Sequence, residues 1–243
     1  MDTHERIGRI ETWISDYQKQ NSIESFVVGI SGGIDSAVVS TLCARTGVPT
    51  YAVSMPIKQK IEQHSLSVTH GEWLSEKYPH VKYIIKDLTN IFLEFEDKFS
   101  DMEFLHGLAN SRARLRMMSL YQIASFYKGI VVGTGNKVED FGVGFYTKYG
   151  DGGVDISPIA DCMKTEVWDM GRVLGIDQKI IDAAPTDGLW DDGRNDEGQL
   201  GMSYPELELA MIGEGPQENI DKFLGIQKQN LHKMNPIPVC KVS

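Results

Sequence analysis

Phe26-Val27-Val28-Gly29-Ile30-Ser31-Gly32-Gly33-Ile34-Asp35-Ser36 is an apolar run that breaks into a serine-glycine-glycine turn. Its first five residues have the length and branching of a buried strand, and Ala37-Val38-Val39-Ser40-Thr41-Leu42-Cys43-Ala44 beyond the turn reads as a helix. A strand, a glycine turn and a helix N-terminus leave backbone N–H groups unpaired at the positive end of a helix dipole, and that geometry binds phosphate. Gly32 and Gly33 carry no β-carbon, so the backbone can close around an oxyanion and adopt positive φ. Ser31 and Ser36 add hydroxyl donors. Asp35 would repel a phosphate met directly, so its carboxylate makes sense mainly as a ligand of a bridging Mg²⁺.

The rest of the chain repeats the alternation. Ile7, Ile10, Trp13, Ile14 and Tyr17 fall at helical spacing, so the chain opens with an amphipathic helix. Strands are expected at 51–55, 81–85 and 129–134. The helices between them include one that stops before Pro79 and a strong one over 109–127. Strands alternating with helices imply an α/β fold with a doubly wound, right-handed parallel sheet. Ligands in such sheets sit beyond the C-terminal strand ends. The loops at Ser31, 55–63 and 134–139 all leave strands at that edge. Further on, 154–159 reads as an added edge strand. Helical patterns occupy 164–174 and 178–184, followed by an acidic loop over 185–204 (Asp187, Asp191, Asp192, Asp196 and Glu197 beside Arg194) and two C-terminal helices near 204–212 and 219–233. No repeat or linker divides the chain, so 1–243 is expected to form one domain.

Composition narrows the function. A hydrophobic fraction of 41% and a charged fraction of 24% are those of a globular protein with a sizeable core. No apolar stretch approaches the about 18–20 residues of a membrane span, and the acidic N-terminus is not a signal peptide. Cys43, Cys162 and Cys240 are scattered, which argues against a disulfide framework, a zinc site or an iron–sulfur cluster and for a reducing cytoplasm. A net charge of −10 disfavours nucleic acid and membrane surfaces as partners.

Three other segments carry chemistry. Arg112, Arg114 and Arg116 alternate on a helix and fan over an arc of about 200°, at ~100° per residue, so at least one faces inward. Arg114 and Arg116 offer planar forks suited to phosphate or carboxylate, whereas Arg112 serves equally well on a solvated basic face. Gly133-Thr134-Gly135-Asn136-Lys137-Val138-Glu139-Asp140 follows the fourth strand and supplies Glu139 as a second metal carboxylate and Thr134 as a hydroxyl for a nucleotide. The run 145–156 packs Lys148, Asp151 and Asp155 into an aromatic, glycine-rich loop suited to a substrate.

The turn lacks the lysine of the Walker pattern and the spacing of the dinucleotide fingerprint. Ser31–Ser36 instead resembles the PP-loop, SGGxDS, of ATP pyrophosphatases, which cut ATP between its α- and β-phosphates. Taken with the NxxAR segment at 110–114, VVGT…E at 131–139, TKYGDGGVD at 147–155, Lys164, Ala184-Pro185-Thr186 and His232-Lys233, the chain resembles the ammonia-dependent NAD synthetase family over most of its length. That resemblance implies the adenine nucleotide α-hydrolase-like fold and the ATP-dependent amidation of deamido-NAD (nicotinic acid adenine dinucleotide) through an acyl adenylate. It implies that Gly29, Ile30, Ser31, Gly32, Gly33, Ile34, Asp35, Ser36, Thr134, Lys164 and Thr186 bind ATP, the co-substrate. Asp35 and Glu139 would hold Mg²⁺. Arg114, Lys148, Asp155, His232 and Lys233 would contact deamido-NAD. Asp35 and Lys164 are the expected catalytic residues, with Asp155 the candidate to take a proton from ammonium. A homodimer with the dinucleotide across its interface is implied, as are two loops that order over the substrates, at 58–63 and 185–204. The 243 residues offer no segment expected to form the glutaminase domain of the family's long members, so free ammonia is the expected nitrogen donor. In one respect the chain departs from some relatives: Glu139 and Lys148 stand one residue further apart, within 140–144.

Overall fold

The computed structural model describes residues 1–59, 61–102, 104–186, 188–189 and 195–242, with the backbone alone over 61–63. Four parallel strands, β1 (Ser25–Gly29), β2 (Thr50–Ser54), β3 (Val81–Ile85) and β4 (Gly129–Val132), form one sheet in the order β3-β2-β1-β4. The chain moves outward from β1 through β2 to β3, then returns to the other side of β1 to place β4. Strand order therefore reverses between β1 and β4, and a crevice opens at such a switch point.

Both sheet faces are covered, which is why β1 reads as a continuous apolar run rather than an alternating one. Phe26 and Val28 point into a core shared with α1 (Thr3–Gln20) and α2 (Ile34–Arg45), and α3 (Ile61–Lys77) extends that layer over β2 and β3. Val27, Val53 and Val131 point the opposite way, against α4 (Thr89–Lys98) and α5 (Leu105–Phe126). Helix α2 is buried all round, because α1 and α6 (Lys164–Leu174) pack on it from outside the sheet. Its two interior hydroxyls are satisfied locally: Ser40 Oγ donates to Ser36 O at 2.7 Å and Thr41 Oγ1 to Ala37 O at 2.7 Å. Beyond α6 come α7 (Gln178–Ile181), α8 (Asp196–Leu200), α9 (Tyr204–Met211) and α10 (Gln217–Met234). The last two close a satellite core around Tyr204, Leu207 and Phe223.

Two expectations are corrected. The edge strand at 154–159 does not form; only a single parallel bridge, Val132 to Ile156, joins that segment to the sheet. The chain turns away at once, with Ala160 N–H donating to Ser157 O and Cys162 N–H to Ile159 O, and Pro158 has no N–H to continue a ladder. The loop expected at 134–139 gives way at Val138 to a π-helix, Val138–Val143. It overlaps 140–144, where the sequence resemblance implies one residue more than in some relatives, and a π turn is how a helix absorbs one extra residue.

Candidate active site

The turn after β1 has the geometry its glycines allow. Gly32 sits at φ +91°, and Gly33 caps α2 in an extended conformation with no side-chain hydrogen bond. The serines are braces rather than free donors. Ser36 Oγ donates to Gly33 O at 2.9 Å and accepts from Ser31 N–H at 3.2 Å, while Gly33 N–H donates to Ser31 Oγ at 3.1 Å. The first turn of α2 is thus left facing the crevice without a side chain over it. Asp35 lies inside that first turn and is no cap; its carboxylate reaches across to α6.

There Lys164 Nζ, 3% exposed, contacts Asp35 Oδ2 and lies 3.1 Å from Glu139 Oε1. Three charges, from the first turns of α2 and α6 and from the π-helix, thus meet at the switch point. Burial lifts Asp35 above the ordinary carboxylate range, against the pull of Lys164. Burial also works against the charge on Lys164, but Asp35 and Glu139 outweigh it and hold the group above the ordinary lysine value, as ammonium. Asn136, fully buried, organises the other side. Its Nδ2 donates to Asp35 Oδ1 at 3.2 Å, and its Oδ1 accepts from the N–H groups of Val138 at 3.0 Å and Glu139 at 3.1 Å, capping the π turn. Asp140, the next residue, is pushed up to about 7 by burial and then by Glu139, Asp151 and Asp35.

These groups line a cavity of about 470 Å³, within the range of small-molecule sites. Gly29, Ile30, Ser31, Gly32, Gly33, Ile34, Asp35, Ser36, Thr134, Glu139, Lys164 and Thr186 all face it. Arg112 and Arg116, one helical turn apart, face it too, whereas Arg114 points outward. Arg116 Nε donates to Met55 O at 3.1 Å. Arg112, which the alternation left open between inward and solvated, is 5% exposed, stacks over Phe92 and donates from Nη1 to Leu189 O at 3.1 Å. Glu96 pairs with both Arg112 and Lys58, so one carboxylate touches the anchors of both covering loops. Lys60, Asp187, Asp191, Asp192 and Arg194 of those loops lie outside the described residues.

A second group forms beside the cavity. Arg114 Nη2 donates to Lys148 O at 3.4 Å, Lys148 Nζ to His232 O at 3.2 Å, and Lys233 Nζ to Gly144 O and, at 2.8 Å, to Tyr146 O. Four of the five residues expected to contact the dinucleotide are thereby brought together. Asp155 is placed differently. Exposed and outside the cavity lining, it accepts from Val131 N–H at 2.7 Å on Oδ2 and from Tyr121 O–H at 3.1 Å on Oδ1. Both its oxygens are thus engaged at β4 rather than turned into the cavity where Asp35, Lys164 and Glu139 meet.

Sequence reasoning missed Asn136, Asp140 and Tyr204. Asn136 sits between Thr134 and Glu139, both already singled out, so its capping chemistry was available; Tyr204, some 65 residues from Glu139 along the chain, had no local signal.

A model of the NAD synthase family matches residues 6–237. The chain is 34% identical to the NH(3)-dependent NAD(+) synthetase of Carboxydothermus hydrogenoformans over 237 residues, 94% of each protein. Among solved structures, it superposes on the NMN synthetase of Francisella tularensis with a TM-score of 0.92 at 30% identity, covering 99% of both chains. It shares the fold of the NH3-dependent NAD synthetase of Campylobacter jejuni, with a TM-score of 0.82 at 24% identity, over 99% of this chain and 100% of that one.

Proposed function

The chain belongs to the NAD synthase family, and from that premise we propose that its crevice joins ammonia to the carboxylate of deamido-NAD at the expense of ATP. The products are NAD⁺, AMP and pyrophosphate. The observation that carries this reading is the meeting of the phosphate turn with Asp35, Lys164 and Glu139 at one switch point.

A carboxylate is a poor acyl donor, so it first attacks the α-phosphorus of ATP; the bond from that phosphorus to the bridging oxygen breaks and pyrophosphate leaves. An anion approaches a polyanion in this step, and neutralising charge is what the protein must do. The N–H groups at the start of α2 receive the departing diphosphate, and the ammonium of Lys164 adds a fixed positive charge. Ammonia then attacks the acyl carbon, a proton leaves the nitrogen, and AMP departs with the electrons of the mixed-anhydride bond. Arg112 and Arg116 close the nucleotide end of the crevice, while Thr134 and Thr186 contribute hydroxyls. Excluding water protects the acyl adenylate, and the 58–63 and 185–204 loops serve that purpose.

Asp35 and Glu139 are the residues that hold Mg²⁺. The donor set fits: among the described residues no group of three or more acids, histidines and cysteines forms a protein cage, and Mg²⁺ is usually held by one or two carboxylates together with substrate phosphates. An ion held by these two carboxylates would supply charge screening for the departing pyrophosphate. Arg114, Lys148, His232 and Lys233 receive the dinucleotide's remaining phosphates and adenosine, and Asp155 serves substrate binding from the outer side rather than proton transfer.

The same reading extends to assembly. Phe95, Phe99, Met102, Phe104, Leu105 and Met118 expose an apolar face along α4 and α5, which supports a homodimer with the dinucleotide across the interface. Free Cys43, Cys162 and Cys240 accord with a reducing cytoplasm, and among the described residues no helix is long and apolar enough to cross a membrane. The packing of α10 on α9 and of both on the π turn supports residues 1–243 acting as one catalytic domain.

The test is an end-point assay with ATP and deamido-NAD, supplied with ammonium or with glutamine, scoring NAD⁺, AMP and pyrophosphate together. Equal amounts of all three with ammonium support the reading; no AMP under any condition refutes it. A second reading, amidation of the mononucleotide, is favoured by the likeness to the Francisella tularensis protein. A parallel arm with nicotinic acid mononucleotide decides between the two by the ratio of kcat/KM values.

A further inference from the structure

Glu139 receives two donors on the same oxygen. Lys164 Nζ lies 3.1 Å from Oε1, and Tyr204 Oη donates to that oxygen at 2.5 Å. Among the described residues Oε2 has no protein hydrogen bond. A carboxylate pinned through one oxygen cannot rotate about its terminal bond, and its second oxygen is held out for a cation.

The tyrosine is itself locked. It is the first residue of α9, whose start is set by a capping box: Ser203 N–H donates to Glu206 Oε2 at 2.8 Å, and Pro205 follows at the position where proline is pre-organised. Helix α9 is clamped to α6 by Glu208, which accepts from Thr165 N–H at 2.9 Å and Thr165 Oγ1 at 2.7 Å. Within that clamp the ring of Tyr204 is fully buried, meets the edge of Trp168, and lies under the Lys164 ammonium at 4.7 Å from its centre. A buried tyrosine hydroxyl needs a polar partner, and here that partner is a site carboxylate. Asp196, at the end of the acidic loop, lies 3.2 Å from the same Oη.

We propose that Tyr204 is the positioning residue of Glu139: its hydroxyl holds one carboxylate oxygen so that the other is presented to the divalent cation. The inference rests on the metal reading given above. It assigns the C-terminal helices a part in the chemistry, because Tyr204 transmits the α6–α9 packing to a cation ligand on the far side of the crevice. Partners of metal ligands act in this way, and losing one costs about 10–100-fold in metal affinity.

Manganese serves as the probe, read by electron paramagnetic resonance in the presence of an ATP analogue with a methylene bridge between its α- and β-phosphates. Tyr204→Phe, which keeps the ring and loses the hydroxyl, should weaken Mn²⁺ binding about tenfold, the lower end of that range. Nucleotide affinity measured in EDTA should stay within about twofold, since the hydroxyl's two partners, Glu139 and Asp196, are both carboxylates and neither is a direct donor to a phosphate. Leu207→Ala, a cavity in the same helix, should lower the melting temperature and leave Mn²⁺ binding unchanged; an equal loss there would reduce Tyr204 to a packing role and overturn the proposal. Glu139→Gln separates the two layers of inference. If it leaves Mn²⁺ binding intact, the metal reading has failed and the proposal with it. If it weakens binding while Tyr204→Phe does not, only the positioning role is refuted. Should the phenylalanine variant not fold, 3-fluorotyrosine inserted at 204 alone gives a fluorine resonance that must shift with Mg²⁺ saturation; a resonance that stays put refutes the proposal.

Discussion

Replacing Lys164 with methionine tests what the central charge does for the fold apart from catalysis. The ammonium is 3% exposed, and the side chains of Asp35 and Glu139 are each 16% exposed. Lys164→Met therefore strands two carboxylates that water reaches only at the edge. Removing one partner of a buried ion pair costs about 3–5 kcal/mol, and the residual wetting of both acids points to the lower end, about 3 kcal/mol. Most of that is the penalty of unpaired charge rather than lost attraction. Adding Asp35→Asn and Glu139→Gln to Lys164→Met should consequently recover all but about 1 kcal/mol, although it removes two more charged groups. The measurement is urea unfolding at pH 7 in EDTA without nucleotide, comparing midpoints at unchanged m-values. A single-variant deficit under about 1 kcal/mol, or a triple variant no more stable than the single one, would refute the argument that the site is held by charge compensation.

Other outcomes follow from the same coordinates. His70, buried against Ser40, is pushed down to about 4 by burial; the unfolded chain takes up its proton near pH 6.5 and the native one does not, so about 3 kcal/mol of stability present above pH 6.5 is lost on acidification to pH 4. His70→Gln should flatten the urea midpoint over that interval, and an unchanged slope would show that His70 is not its source. Asp155→Asn should cost about 1–2 kcal/mol of stability through its bonds to Val131 and Tyr121; at saturating dinucleotide its kcat with ammonium should hold, whereas loss of a general base would cut it about 10²–10⁴-fold. Phe104→Glu places a charge on the apolar α4–α5 face and should convert the dimer to monomer by sedimentation velocity with the circular dichroism unchanged; a persisting dimer would move the interface elsewhere.

How far the chain can be read without coordinates depends on the range of the interaction. The strands and the turn at 31–36 are local: β-branched runs, paired glycines and the helix that follows declare themselves over a dozen residues, and the structure has them there. Bringing Lys164 to Asp35 is not local, and neither spacing nor periodicity encodes it; only resemblance supplied that residue. Tyr204 shows the limit most clearly, since a tyrosine ahead of Pro205 looks like the start of any helix until α6 and α9 are packed. Asp155 shows the limit from the opposite side. An acid in a glycine-rich loop looks free, but the bridge from Val132 to Ile156 turns it back onto the Val131 amide. The edge strand failed because the apolar segment at 154–159 was read through Pro158 to a length the backbone could not sustain.

The wide turn at Val138–Val143 has a consequence for anyone moving residues between this protein and its kin. An insertion in an ordinary helix rotates every later position by about 100°, and would swing Lys148 and its neighbours away from Glu139. Here one coil of π-helix carries the extra residue that an α turn has no room for. A relative one residue shorter between these two side chains, as the resemblance implies, is therefore expected to superpose on either side, with the numbering slipping by one only within 140–144. Grafts whose ends lie outside that window need no compensating shift, whereas one that ends inside it would misalign the acid at 139 against the lysine at 148.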